Sequence, residues 1–162
     1  MWYSESDLHP IDAVESFAKG QAWDFDRLTD DRIALSVAGQ WQTYALTLIW
    51  SAGDEVLRLV CTFNMDPPAG RLPAVHDLLN RVNDRVWCGA FTYWTDRKLM
   101  AWRHGLLLSG GQTVGAEQVE RLMRDAVRSA ERFYPAFQLV AWGDTAPDRA
   151  IHIAMAEAFG RA

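Results

Sequence analysis

Between Ile33 and Asn64 the chain alternates apolar and polar residues, interrupted only by short polar turns. Ile33, Leu35 and Val37 share one side of a first extended run, which ends at Ala38-Gly39-Gln40. Tyr44, Leu46, Leu48 and Trp50 do the same between Trp41 and Trp50, and Ser51-Ala52-Gly53-Asp54 turns the chain. Glu55 to Asn64 then sets Leu57, Leu59, Cys61 and Phe63 on one face. Strand side chains repeat every two residues, and connections this short join antiparallel neighbours. The segment is therefore an antiparallel meander with one apolar face that has to be covered. Its other face carries Ala34, Ser36, Thr43, Ala45, Thr47, Arg58 and Thr62, small or polar groups that water tolerates. Trp41, Ile49 and Val60 fall on that second side too, so it is not simply a solvated surface.

Helical periodicity before, within and after the meander supplies the cover. Ile11, Val14, Phe17 and Ala18 predict a first helix starting near His9-Pro10 and stopped by Gly20. Trp23 to Arg27 reads as a brief extended piece. Asp66-Pro67-Pro68-Ala69-Gly70 leads into a second helix with Leu72, Val75, Leu78, Leu79 and Val82 on its stripe. Asn80 and Asn83 near its end are expected to shape the turn into the next strand. Val86 to Trp94 and Leu99 to Leu108 predict two further strands. A long third helix follows, with Thr113 as its expected N-cap and Val119, Leu122, Met123, Ala126, Ala130, Phe133 and Tyr134 on its stripe. Pro135 should kink or restart that helix, because it lacks a backbone N–H. Asp144 or Thr145 is placed to cap a last helix bearing Ile151, Ala154, Met155 and Phe159. The plan is α+β: an antiparallel sheet of about five strands flanked by helices, in one domain spanning residues 1–162.

The function classes narrow next. No run of about 18 apolar residues is present, the length that signals a membrane-spanning helix. The N-terminal Met1-Trp2-Tyr3-Ser4-Glu5-Ser6-Asp7 is acidic where a secretory leader is basic and apolar, so the expected location is cytoplasmic. A net charge of −5 with scattered cations argues against nucleic acid. Cys61 and Cys88 lack metal-ligand spacing and are expected as buried free thiols within strands. Eight tryptophans in 162 residues suggest a docking surface as well as core packing.

Catalytic and ligand-binding patterns are weak. Asp24 and Asp26, two apart, would share one side of a strand and could hold a divalent metal for a hydrolase; a solvated strand edge is the plainer alternative. His9, His76, His104 and His152 are dispersed, with no cofactor or metal-binding pattern among them. Gly110-Gly111-Gln112-Thr113-Val114-Gly115 lacks the Lys-Ser/Thr ending of a phosphate loop, and Ser109 before it is turn chemistry.

The run Leu79-Asn80-Arg81-Val82-Asn83, then Gly89-Ala90-Phe91, then Leu106-Leu107-Leu108 with Gly110-Gly111, resembles the YbjN-domain family. Ala130-Glu131-Arg132-Phe133-Tyr134-Pro135 resembles its long final helix. The resemblance covers roughly Asp24 to Gly143 and leaves Asp144 to Ala162 unmatched. The family's members are described as "putative bacterial sensory transduction regulators". It implies a fold similar to type III secretion chaperones, which are small acidic homodimers that hold extended partner segments without catalysis. The expected function is thus a non-enzymatic protein-binding or regulatory module working as a homodimer, and the runner-up is the metal-dependent hydrolase at Asp24 and Asp26. Trp87, Phe91, Trp94 and Trp102 are the candidate interface residues.

Overall fold

The computed structural model describes residues 9–160, with side chains through residue 156. The acidic segment Met1–Asp7 and the side chain of Phe159 lie outside the described residues. Helix α1 (Pro10–Gly20) precedes strands β1 (Asp24–Thr29), β2 (Arg32–Ala38), β3 (Thr43–Ser51) and β4 (Val56–Asn64). A single 3-10 turn leads into α2 (Leu72–Asn83). Strands β5 (Ala90–Trp94) and β6 (Leu99–Leu107) follow, then α3 (Ala116–Ala141) and α4 (Pro147–Gly160). The strands form a six-stranded sheet in the order β1-β2-β3-β4-β6-β5, antiparallel throughout. The α+β plan stands, with six strands where about five were expected. The extra one is β1, whose exposed Asp24, Asp26 and Thr29 hide the strand period around Phe25.

Register explains how the sheet divides. Leu35 pairs with Leu46, Leu46 with Cys61, Cys61 with Trp102 and Trp102 with Phe91, and all five are buried. Side chains at paired positions share a face, so this row faces the helices. One residue along, Ala34, Thr47, Val60, Arg103 and Ala90 form a row on the other face, and none of them is buried. All four helices pack on the first face, with α3 touching α1, α2, α4 and the interior strands β4 and β6. Phe133 and Phe137 of α3 meet Phe91 edge-on, with ring centroids 5.9 and 5.2 Å apart. Phe63 packs against both Tyr134 and Phe137.

Several ends are fixed by specific groups. His9 caps α1, its Nδ1 accepting from the Ile11 amide at 3.1 Å while Nε2 meets Asp31 at 3.0 Å. Arg27 of β1 donates to Asp12 of α1 at 2.9 Å. Gly115, not Thr113, is the N-cap of α3, and Gln118 closes the turn by accepting from the Gly115 amide at 3.0 Å. The helix runs on through Pro135 instead of restarting there. Arg71 then binds the far end, donating to the Val140 and Thr145 carbonyls at 2.9 and 3.1 Å. It thereby satisfies a carbonyl that the end of α3 leaves without a helical partner. Ala150 donates to the Ala146 carbonyl, so α4 begins after Ala146 rather than at the expected caps Asp144 or Thr145.

The two asparagines part company. Asn83 Nδ2 donates to the Phe91 carbonyl at 3.0 Å, and the Phe91 amide donates to Asn83 Oδ1 at 2.7 Å. Its carboxamide thus acts as a one-residue strand along the outer edge of β5, occupying groups that an edge strand otherwise exposes. Asn80 is exposed and contributes its backbone carbonyl, which accepts from the Asp84 amide. Asn83→Ala should lower stability by about 1–3 kcal/mol, the range for stranding bonded polar groups. Asn80→Ala should stay within about 0.5 kcal/mol. Denaturant melts of both variants beside the parent check this, and equal losses would contradict it.

Candidate functional site

Among the described residues no helix covers the second face of the sheet. Ile49 of β3, Val56 and Val60 of β4 and Trp94 of the edge strand β5 are partly exposed on it. Arg58 and Arg103 stand among them, Arg58 beside Ile49 and Arg103 beside Val60 in register, and together these residues line a groove of about 600 Å³. Arg58 is engaged by Asp54, with N–O 2.6 Å. No carboxylate among the described residues pairs with Arg103. Ala101 is fully buried on this same face, between the side chains of Thr62 and Thr92 that flank it in register. Such a patch suits a packed protein surface more than a small polar substrate.

Asp24 and Asp26 also reach the uncovered face, opposite Ser36 and Ala34 on the edge strand β1. Their carboxylates share one side, as their spacing predicts, and both residues are exposed. Among the described residues no third His, Cys, Asp or Glu joins them to form a cluster able to hold a metal ion.

The four candidate rings fare differently. Phe91 and Trp102 are 3% and 1% exposed and belong to the core of their own subunit. Their place on the helix-facing row leaves them no surface to offer a partner. The Trp102 Nε1 donor is buried without a hydrogen-bond partner among the described residues. Gly89 accounts for the close cover over that ring: it sits at φ +76°, and a Cβ there would collide with the indole. Trp94 keeps part of its surface on the uncovered face, with Arg97 at 5.4 Å from its ring centroid. Trp87 lies in the loop between α2 and β5 and is 96% exposed.

The cysteines also separate. Cys61 is buried in β4, and burial pushes its thiol up to about 12. Cys88, expected within a strand, lies exposed in the loop before β5. Tyr44 is buried beneath β3, and desolvation followed by the nearby Glu131 carboxylate raises its pKa. That carboxylate accepts from the Gln40 amide at 2.7 Å, joining α3 to the turn between β2 and β3.

The YbjN family, described as "Putative bacterial sensory transduction regulator", matches residues 10–139 by sequence pattern. That span starts with α1, earlier than the Asp24 expected from the sequence resemblance, and stops short of α4. No curated protein matches the chain. A solved structure described as "Crystal structure of YbjN, a putative transcription regulator from E. coli" superposes with a TM-score of 0.53 at 13% identity. The match covers 83% of this chain and 90% of that one, and at this identity it speaks for the fold alone. No described helix is long and apolar enough to cross a membrane.

The contrast between the thiols gives a direct test. A maleimide should label Cys88 in the folded protein and reach Cys61 only on unfolding. An unfolded thiol ionises near 9.0, whereas buried Cys61 resists ionisation up to about 12. Across that window the unfolded chain binds fewer protons, so stability present below the unfolded value is lost as pH rises. The slope from Cys61 is at most about 1.4 kcal/mol per pH unit. Tyr44 adds loss in the same direction above its ordinary value of 10.0. Urea melts at stepped alkaline pH, beside a Cys61→Ala variant with a shallower slope, check the sign.

Proposed function

Because the chain belongs to the YbjN family, we propose that it is a non-enzymatic regulatory module that works by holding other polypeptides, in the manner of a secretion chaperone. The observation that carries this reading is the uncovered sheet face, with Ile49, Val60 and Trp94 partly exposed in one groove. A sheet that spends one face on its own core and keeps apolar residues on the other is suited to protein association. The working form is a homodimer whose copies meet on that face. Trp94 replaces the buried Phe91 and Trp102 as its aromatic contact. Arg58 and Arg103 stand among the apolar residues of this face and set orientation more than affinity.

Two measurements test this function. Affinity capture from a bacterial lysate, read by mass spectrometry, should return the same protein partners in replicate and none from bare matrix; equal recovery from bare matrix contradicts the binding role. Light scattering at micromolar concentration should give twice the 18.3 kDa of the single chain. Ile49→Arg should raise the dimer Kd at least about tenfold, because it sets a further cation between Arg32 and Arg58, its neighbours in register, and buries that charge in the contact. The same substitution should leave the circular dichroism spectrum unchanged, since Ile49 lies outside the core. Asp24→Asn with Asp26→Asn should alter neither partner recovery nor mass. A parent protein that scatters as a single chain would remove the dimer.

A further inference from the structure

On the helix side, away from the uncovered sheet face, charge of one sign collects around the loop between α2 and β5. Arg85 from that loop and Arg121, Arg128 and Arg132 from α3 line a depression of about 270 Å³, with Trp87 beside them. The chain as a whole has 21 acidic residues against 16 basic ones, so a local excess of arginine runs against its composition. Elsewhere its cations are mostly committed: Arg27, Arg58, Arg71, Arg81 and Arg124 each pair with a carboxylate. Within the depression the single acidic lining residue is Asp125, and Arg121 engages it at 2.9 Å. Arg132 touches the Met155 sulfur at 3.3 Å and lies 5.3 Å from the Phe133 ring centroid. Among the described residues no carboxylate pairs with Arg85, Arg128 or Arg132. Guanidiniums that share one depression repel one another, and an anion between them reverses that cost.

The spacing selects among anions. Arg128 and Arg132 are one helical turn apart, about 6 Å along the axis at about 1.5 Å per residue. Alternate side chains of an extended polypeptide recur about every 6.8 Å. Carboxylates two residues apart on such a segment therefore meet both guanidiniums at once. Arg121 continues the row, about 16 Å from Arg132 by the same rise, farther than one compact anion spans. Trp87, at 96% exposure, holds a large apolar ring in water beside the row. Tryptophan and arginine are the residue types that dominate binding energy when a partner covers them.

We propose that the Arg85, Arg128 and Arg132 depression docks an extended acidic segment of a partner protein, its carboxylates two residues apart on Arg128 and Arg132 and an apolar side chain against Trp87. This rests on the reading of the chain as a protein-binding module and supplies the chemistry of its partner. It also keeps partner docking separate from the sheet face used by the second copy.

The probe is a short fluorescein-labelled peptide with glutamate at alternate positions and leucine at one end, followed by anisotropy against the full chain. Binding should weaken at least about tenfold for Arg128→Glu with Arg132→Glu, and for a peptide with glutamine replacing glutamate. It should also weaken with added salt. Trp87→Ala should cost several-fold, whereas Arg32→Glu, the same charge reversal at one site on the uncovered face, should leave affinity unchanged. The glutamine peptide requires no altered protein, so a misfolded variant does not blur the result. Equal affinity for the glutamate and glutamine peptides overturns the proposal. So does inorganic phosphate competing at the peptide's own concentration, which marks a compact-anion site. A light-scattering mass that falls in the double arginine variant marks a self-interface and overturns it as well. Partner capture that persists while the acidic peptide fails leaves the protein-binding reading standing and removes this docking surface alone.

Discussion

The structure depends on a sheet that has two faces and receives helical cover on only one. The packing of α3 against β4 and β6 makes this division. Phe133 and Phe137 lock against Phe91, and Tyr134 and Phe137 against Phe63, so one helix ties the interior strand β4 to the edge strand β5. Helices α1, α2 and α4 fill the space around α3 and belong to the same layer. The second face is left with small residues, threonines and partly exposed apolar residues. Removing large apolar area from water is the dominant favourable term in folding, and here it is taken up by one layer contact. What remains on the other side is available for association.

Much of this was legible in the residues. The alternation through Ile33, Tyr44 and Leu57 set the parity of β2, β3 and β4, and the structure follows it: the residues assigned to the apolar face are buried, except Trp50 at the end of β3, which is partly exposed. The stripes of α2 and α3 were equally plain, since apolar residues at helical spacing have few other uses. Strand β1 was half hidden because Asp24 and Asp26 face water at the sheet edge, and a short polar strand carries little periodic signal. The cap of α3 was misplaced because Thr113 has the favoured side chain, while Gly115 wins through the reach of Gln118.

The candidate site was less legible, for reasons of distance along the chain. An aromatic at a strand position looks the same whether it faces the helices or a partner. Only the register that puts Phe91 beside Trp102, and Trp102 beside Cys61, assigns those rings to the core. Asn83 stands at the end of a helix, where the sequence implies a role in shaping the next turn. Its use as a surrogate strand against Phe91 appears only when the chain returns eight residues later. Arg85 and the arginines of α3 are more than thirty residues apart and scattered in sequence. Folding gathers them, so the expectation of dispersed cations fails at this one place. That concentration of charge is still local, and the chain's net charge of −5 continues to disfavour a polyanion such as nucleic acid.

The uncovered sheet face is the proposed association surface, and a distance measurement between two copies addresses that most directly. Thr47 sits on this face near its centre, paired with Ala34 and Val60. A nitroxide placed by Thr47→Cys in a Cys88→Ser background reports on it alone, because Cys61 is buried. Pulsed electron spin resonance should find a dipolar coupling between labels in the two copies, one that Ile49→Arg abolishes. Labels that stay uncoupled in a protein whose scattering mass is that of a dimer would show that the copies meet elsewhere, and the central claim would fail.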